Sequence, residues 1–132
     1  MRGVLLAATF LLLASCARPK PGDPPQIVFG RHECARCGMI VSEERFAAGY
    51  VDDSGTTVPF DDLGELLSAL AEREDLRRRS WVRDFSNGGW LRLTEAHVVK
   101  IEGLATPMGT GWVAFAQRSE AEAFLRARLR SW

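Results

Sequence analysis

The stretch His32-Glu33-Cys34-Ala35-Arg36-Cys37-Gly38-Met39 gathers an imidazole, two thiols and a thioether within eight residues. Soft donors of this kind suit Cu(I), zinc and iron–sulfur clusters, and a thioether points toward Cu(I) in particular. The Cys-x-x-Cys pair has four chemical readings. Half of a structural zinc site needs a second Cys/His pair at comparable spacing, and only His32 and the distant His97 are there to complete four ligands. A thiol–disulfide redox pair normally opens a helix, whose amide dipoles lower the thiol pKa, whereas Gly38-Met39-Ile40-Val41 is poor helix and good strand. An oxidised structural clip suits an extracytoplasmic protein, and a disulfide is also compatible with a resting metal site. The fourth reading is a soft site of thiolate and thioether, which must recruit a ligand from elsewhere in the chain.

Met108 is the candidate recruit. Methionine usually fills gaps in a core, but this one lies in Thr106-Pro107-Met108-Gly109-Thr110-Gly111, where no periodic face exists to bury it. A thioether displayed on a stiff loop makes sense as a ligand. Met39 points to the same side as Cys37 if the chain is extended there, so Cys37, Met39 and Met108 form a candidate convergent set. His32 shares a face with Cys34 on the same assumption. His97, between Ala96 and Val98, reads as a strand histidine hydrogen-bonded near the surface, and spacing alone assigns neither histidine a proton state or a metal bond. Asp61, Asp62 and Asp84 are accounted for by helix capping and a strand end. No Ser-His-Asp or paired-acid arrangement stands out, so nothing demands catalysis.

These residues need elements to position them. Ile27-Val28-Phe29 is expected as a short strand leading into the cluster, with further strand material at Ile40-Val41 and at Phe46 to Val51. Asp52-Asp53-Ser54-Gly55 reads as a turn and Thr56 to Phe60 as the returning strand of a hairpin. Asp62, with Glu65 at capping-box spacing, starts a helix whose Leu63, Leu66, Leu67 and Leu70 recur on one face. The run Arg73 to Arg79 ends that helix as a solvated face or loop. Ser80 to Phe85, Trp90 to Leu93, His97 to Ile101 and Trp112 to Ala116 read as strands, with turn chemistry at Ser86-Asn87-Gly88-Gly89. Ser119 and Glu122 are expected to cap a last helix that turns Ala121, Phe124, Leu125 and Leu129 inward. The order predicts an α+β domain with a mostly antiparallel sheet and two helices, arranged as two ββα-type units.

The chain carries 17 basic and 17 acidic side chains, a balance that leaves no electrostatic footprint for nucleic acid. At 132 residues it accommodates one domain with a core of its own. Met1-Arg2, the apolar run Val4 to Leu13 and the small pair Ala14-Ser15 read as a signal peptide. Its end, Leu13-Ala14-Ser15-Cys16, resembles the lipobox of bacterial lipoproteins, in which the cysteine is lipidated; an ordinary secretory signal with an incidental cysteine is the alternative. Residues 1–16 are thus expected to be a lipoprotein signal ending in Cys16, residues 17–26 a proline-rich linker acting as a spacer, and residues 27–132 the domain. The protein is then extracytoplasmic and anchored to a membrane by lipid, and Cys34 and Cys37 are its remaining thiols.

Over essentially its whole length the chain resembles the NosL family, the lipoprotein accessory factors of nitrous oxide reductase. The marks of the resemblance are the Leu-Ala-Ser-Cys16 lipobox, Cys34-Ala-Arg-Cys37-Gly-Met39, Val58-Pro-Phe-Asp-Asp-Leu63, Val82-Arg-Asp-Phe85 followed by Gly89-Trp90, and Thr106-Pro-Met-Gly-Thr-Gly111 leading to Ala114-Phe115. The resemblance implies Cu(I) binding and delivery of copper toward the reductase's copper centres, through contact with a membrane transporter-type maturation complex. It also implies a fold similar to the organomercurial lyase core. Cys37 and Met39 match the family's Cys-x-Met, and Met108 its loop methionine. The remaining ligand stays open between His32, Cys34 and a partner's side chain. Two rival functions are a thiol-dependent lyase or disulfide oxidoreductase using Cys34 and Cys37, and a copper chaperone for a different periplasmic enzyme.

Overall fold

Alternating apolar residues on either side of the Asp52–Gly55 turn pair as expected. In a computed structural model, which describes residues 17–130 except residue 72, strands β1 (Ala48–Val51) and β2 (Thr57–Phe60) form an antiparallel hairpin in the register Ala48 opposite Phe60. β3 (Trp81–Arg83) pairs with the other edge of β1, and β4 (Trp90–Arg92) pairs with β3, giving a four-stranded antiparallel sheet in the order β2-β1-β3-β4. β5 (His97–Lys100) and β6 (Trp112–Phe115) form a second, two-stranded antiparallel sheet. The sheets meet where Phe85 N–H donates to the Ala114 carbonyl at 2.8 Å.

Helix α1 (Leu63–Ala69) follows β2, and helix α3 (Arg118–Leu129) follows β6. The chain is therefore an α+β domain in which β1-β2-α1 and β5-β6-α3 are the two ββα units and β3-β4 widens the first sheet. One apolar cluster lies between α1 and the larger sheet, with Val41, Leu63, Leu66 and Val82 buried in it. Full burial of a leucine such as Leu66 contributes on the order of 2 kcal/mol. The other cluster centres on Phe46, Phe85 and Phe115, and Phe124 of α3 stacks edge-on against Phe85 with centroids 5.2 Å apart.

Several expectations need correcting. Residues 27–29 form no strand: the Val28 carbonyl accepts from both Arg31 and His32 N–H, so the chain turns there. Ile40 makes only an isolated bridge to Glu33, and Glu44–Phe46 is a 3-10 turn ahead of β1. The run Arg73 to Arg79 contains a further short helix, α2 (Glu74–Arg77), because Leu76 is drawn into the core; the described residues hold three α-helices, not two. The capping box of α3 is Gln117 with Glu120, whose side chain accepts the Gln117 N–H at 3.3 Å. Ser119 and Glu122 do not cap it, and Glu122 instead faces Arg126 across one turn. Leu129 is 76% exposed and does not turn inward.

Segment 17–26, read as a spacer, lies against the larger sheet. The Trp81 indole N–H donates to the Gly22 carbonyl at 3.2 Å and Gln26 N–H to Thr57 Oγ1 at 3.0 Å. Pro25 is buried beside Gly49. The expected lipid site, Cys16, and the signal segment lie outside the described residues.

Candidate metal centre

The Cys-x-x-Cys segment folds into a tight knuckle. Gly38 N–H donates to the Cys34 carbonyl at 3.0 Å, closing a five-residue turn, and Cys34 N–H donates to the Met39 carbonyl at 2.7 Å. Gly38 sits at φ +75°, a conformation that costs a residue with a Cβ about 1 kcal/mol or more. Ala35 N–H then donates to the Pro59 carbonyl at 2.8 Å and fastens the knuckle to the outer edge of β2. Proline is tolerated on such an edge because no ladder needs its missing N–H.

Within the knuckle Cys34 is buried and Cys37 half-buried; both thiols are free. The ligand atoms of Cys34, Cys37 and Glu65 all lie within 4.8 Å of one another. Glu65 was expected to complete the capping box of α1. It reaches instead across to the knuckle, where it pairs with Arg36 Nε at 3.2 Å, while Asp62 alone caps the helix by accepting Gly64 N–H at 2.8 Å.

The consecutive acids at the start of α1 hold the site's two halves. Asp61 is buried and its Oδ1 accepts the Cys37 thiol at 3.5 Å, while its Oδ2 is buried with no hydrogen-bond partner. Asp62 is wholly buried and gathers the distant loop: its Oδ2 accepts Thr106 Oγ1–H at 2.6 Å and Met108 N–H at 2.9 Å, and its Oδ1 accepts the Thr110 hydroxyl. Close approach of that loop to α1 requires Gly64, where an added Cβ would run into the Thr110 side chain. Loop and knuckle are therefore fixed to adjacent residues of one helix start. Met39 and Met108 remain 52% and 39% exposed.

Burial pushes the Cys37 thiol up to about 11; the Met39 N–H opposes the rise, while the neighbouring Cys34 sulfur and the Asp61 carboxylate add to it. A metal entering here displaces a proton. The carboxylates of Asp61, Asp62 and Glu65 give the pocket a field that attracts cations.

His32 takes another part. Its Nδ1 accepts Val28 N–H at 3.2 Å within the preceding turn, and among the described residues it does not join the Cys34, Cys37 and Glu65 group. His97 lies on β5 opposite Phe115, in the second sheet. Glu65, Asp61 and Asp62 are the residues that sequence reasoning passed over. One clue was available: a helix start needs one capping acid, and here there are two. The threonines placed symmetrically about Met108 were a second clue, as hydroxyl donors in search of a carboxylate.

A family model described as NosL matches residues 25–128. A solved structure, the copper chaperone NosL from Shewanella denitrificans, superposes with a TM-score of 0.65 at 24% sequence identity, over 77% of this chain and 85% of that one. No curated protein matches the chain significantly.

Proposed function

The chain belongs to the NosL family, and on that premise we propose that it is an extracytoplasmic, lipid-anchored copper chaperone that binds Cu(I) and delivers it for assembly of the copper centres of nitrous oxide reductase. The observation that carries this reading is the joining of the knuckle and the Met108 loop through Asp61 and Asp62. That arrangement supports a Cu(I) site on Cys37, Met39 and Met108, with Cys34 beside Cys37 as a further donor. A thiolate and two thioethers are a soft set suited to Cu(I). With both methionines exposed, an acceptor's donors can replace them one at a time, which is what delivery requires and storage does not. In this reading Cys16 carries the lipid, a membrane transporter-type maturation complex is the docking partner, and the reductase receives the copper.

A thiol-based lyase or disulfide oxidoreductase fits the site less well. Its nucleophile needs a thiolate near neutral pH, and Cys37 is pushed the other way. The test is anaerobic incubation of the Cu(I)-loaded chain with apo nitrous oxide reductase and the maturation complex. Stoichiometric loss of copper from the chain, matched by an equal gain of copper in the separated reductase, is expected. Copper kept from the reductase but passed to a different periplasmic copper protein overturns the assignment of the acceptor.

A further inference from the structure

We propose that the end of the domain built from the β1–β2 turn and the last turn of α2 rests on an anionic lipid surface, with Arg18, Arg77 and Arg78 against the phosphate headgroups and the Met108 loop turned away from the bilayer. The proposal rests on the lipid at Cys16 proposed above. Its first support is the path of the N-terminal segment, which is no free tether. The Pro19 carbonyl lies so close to Gly55 that an added Cβ there would meet it at 2.8 Å, and Gly22 accepts from the Trp81 indole. Cys16 stands three residues before Pro19, and three extended residues span about 11 Å at most. The headgroup layer on one side of a bilayer is itself roughly 5–7 Å deep. A lipid on Cys16 therefore brings the Gly55 turn to the headgroup surface.

The charges at that end supply the second support. Arg79 fastens α2 to the turn by pairing with Asp53, and it shares Asp75 with Arg73. Those pairs take up two acids and leave Arg77 and Arg78 exposed, in no ion pair among the described residues. Arg18 is exposed on the segment lying against the same turn. Of the remaining acids here, Asp23 and Asp52 accept from backbone N–H groups of their own turns, and Glu74 opens α2. Asp61 and Asp62 lie at the other end of the hairpin. An anionic surface attracts the arginine end and repels the acidic one. Lipid and basic patch then act as the paired signals that stable membrane attachment needs, and the metal centre is presented outward.

The test uses the mature full chain on vesicles of phosphatidylcholine, with or without an equal share of phosphatidylglycerol, followed by amide hydrogen exchange. Residues 53–55 and 77–79 are expected to exchange about fivefold or more slowly when phosphatidylglycerol is present, the factor that one basic side chain supplies at an anionic surface. Salt at about 1 M, where the screening length falls to roughly 3 Å, should abolish the difference. Arg77→Glu combined with Arg78→Glu should abolish it too, while the lipid keeps the chain on the vesicles and the Cu(I) titration is unchanged. Equal exchange on both vesicles overturns the proposal, as does protection of residues 106–111 in place of the turn, or full protection in the double variant. Intact mass reports the acyl chain separately. An acylated chain without protection keeps the anchor and removes this face, whereas an unacylated chain protected at these residues keeps the face and removes the anchor.

Discussion

Burial lifts the Cys37 thiol to about 11, so it holds its proton well beyond neutral pH. Each Cu(I) that binds there must eject that proton, so protons compete with copper at every pH below the thiol's own value. Affinity should therefore rise roughly tenfold per pH unit across the neutral range and level off above about pH 11. Competition against a Cu(I) chelator of known pH dependence measures this, and a flat profile contradicts a thiolate ligand. Met108→Ala should weaken Cu(I) more than Zn(II), because a thioether favours the softer ion; equal losses in parallel titrations count against a thioether donor. Cys37, Met39 and Met108 were legible as candidates because their chemistry is in their side-chain type. Glu65 was not. Its position on α1 satisfies a capping-box pattern, and only the folded chain reveals that its carboxylate turns to Arg36 and the thiols.

The helix start at Asp61-Asp62 positions the site, and its energetics can be measured apart from copper. Asp62 accepts from Gly64, Thr106, Met108 and Thr110 while wholly buried. Asp62→Asn keeps the shape but supplies one acceptor oxygen where there were two, leaving donors unsatisfied at a cost of about 3 kcal/mol, readable as a shift in urea unfolding. The same variant should weaken Cu(I) about as much as Met108→Ala, and the pair should not add, since both remove one thioether. Gly64→Ala should push the loop off α1 with a similar loss of copper and is read by the same titration. Among the elements, β1, β2 and α1 were legible because alternation and the i, i+3, i+4 leucine spacing are strong local patterns. Residues 27–29 were not, because the Val28 carbonyl is taken by a turn that composition does not announce. The start of α3 shifted for a similar reason: Gln117-x-x-Glu120 and Ser119-x-x-Glu122 are competing capping patterns, and the fold selects the first.

At the scale of the molecule, two ββα units and an inserted hairpin place the Met108 loop and the N-terminal segment at opposite ends of β1-β2. Pro19 lies against Gly55 at the turn of that hairpin, whereas Asp61 and Asp62 follow Phe60 at the other end. A chain tethered through Cys16 would thus enter the domain away from the site. Trp81→Phe combined with Thr57→Val removes the bonds to Gly22 and Gln26. Amide exchange at Gln26 should then speed up while Cu(I) affinity stays unchanged; a fall in affinity would mean that the segment shapes the site. The α+β class and the succession of strands and helices were legible from the periods, but the docking of a proline-rich segment was not, because its partners are a threonine hydroxyl and a tryptophan indole far along the chain. The account as a whole stands on copper held by Cys37. Anaerobic Cu(I) titration of the reduced protein beside its Cys37→Ser form tests this most directly: tight stoichiometric binding in the former and its loss in the folded variant are predicted, and equal tight binding in both contradicts the account.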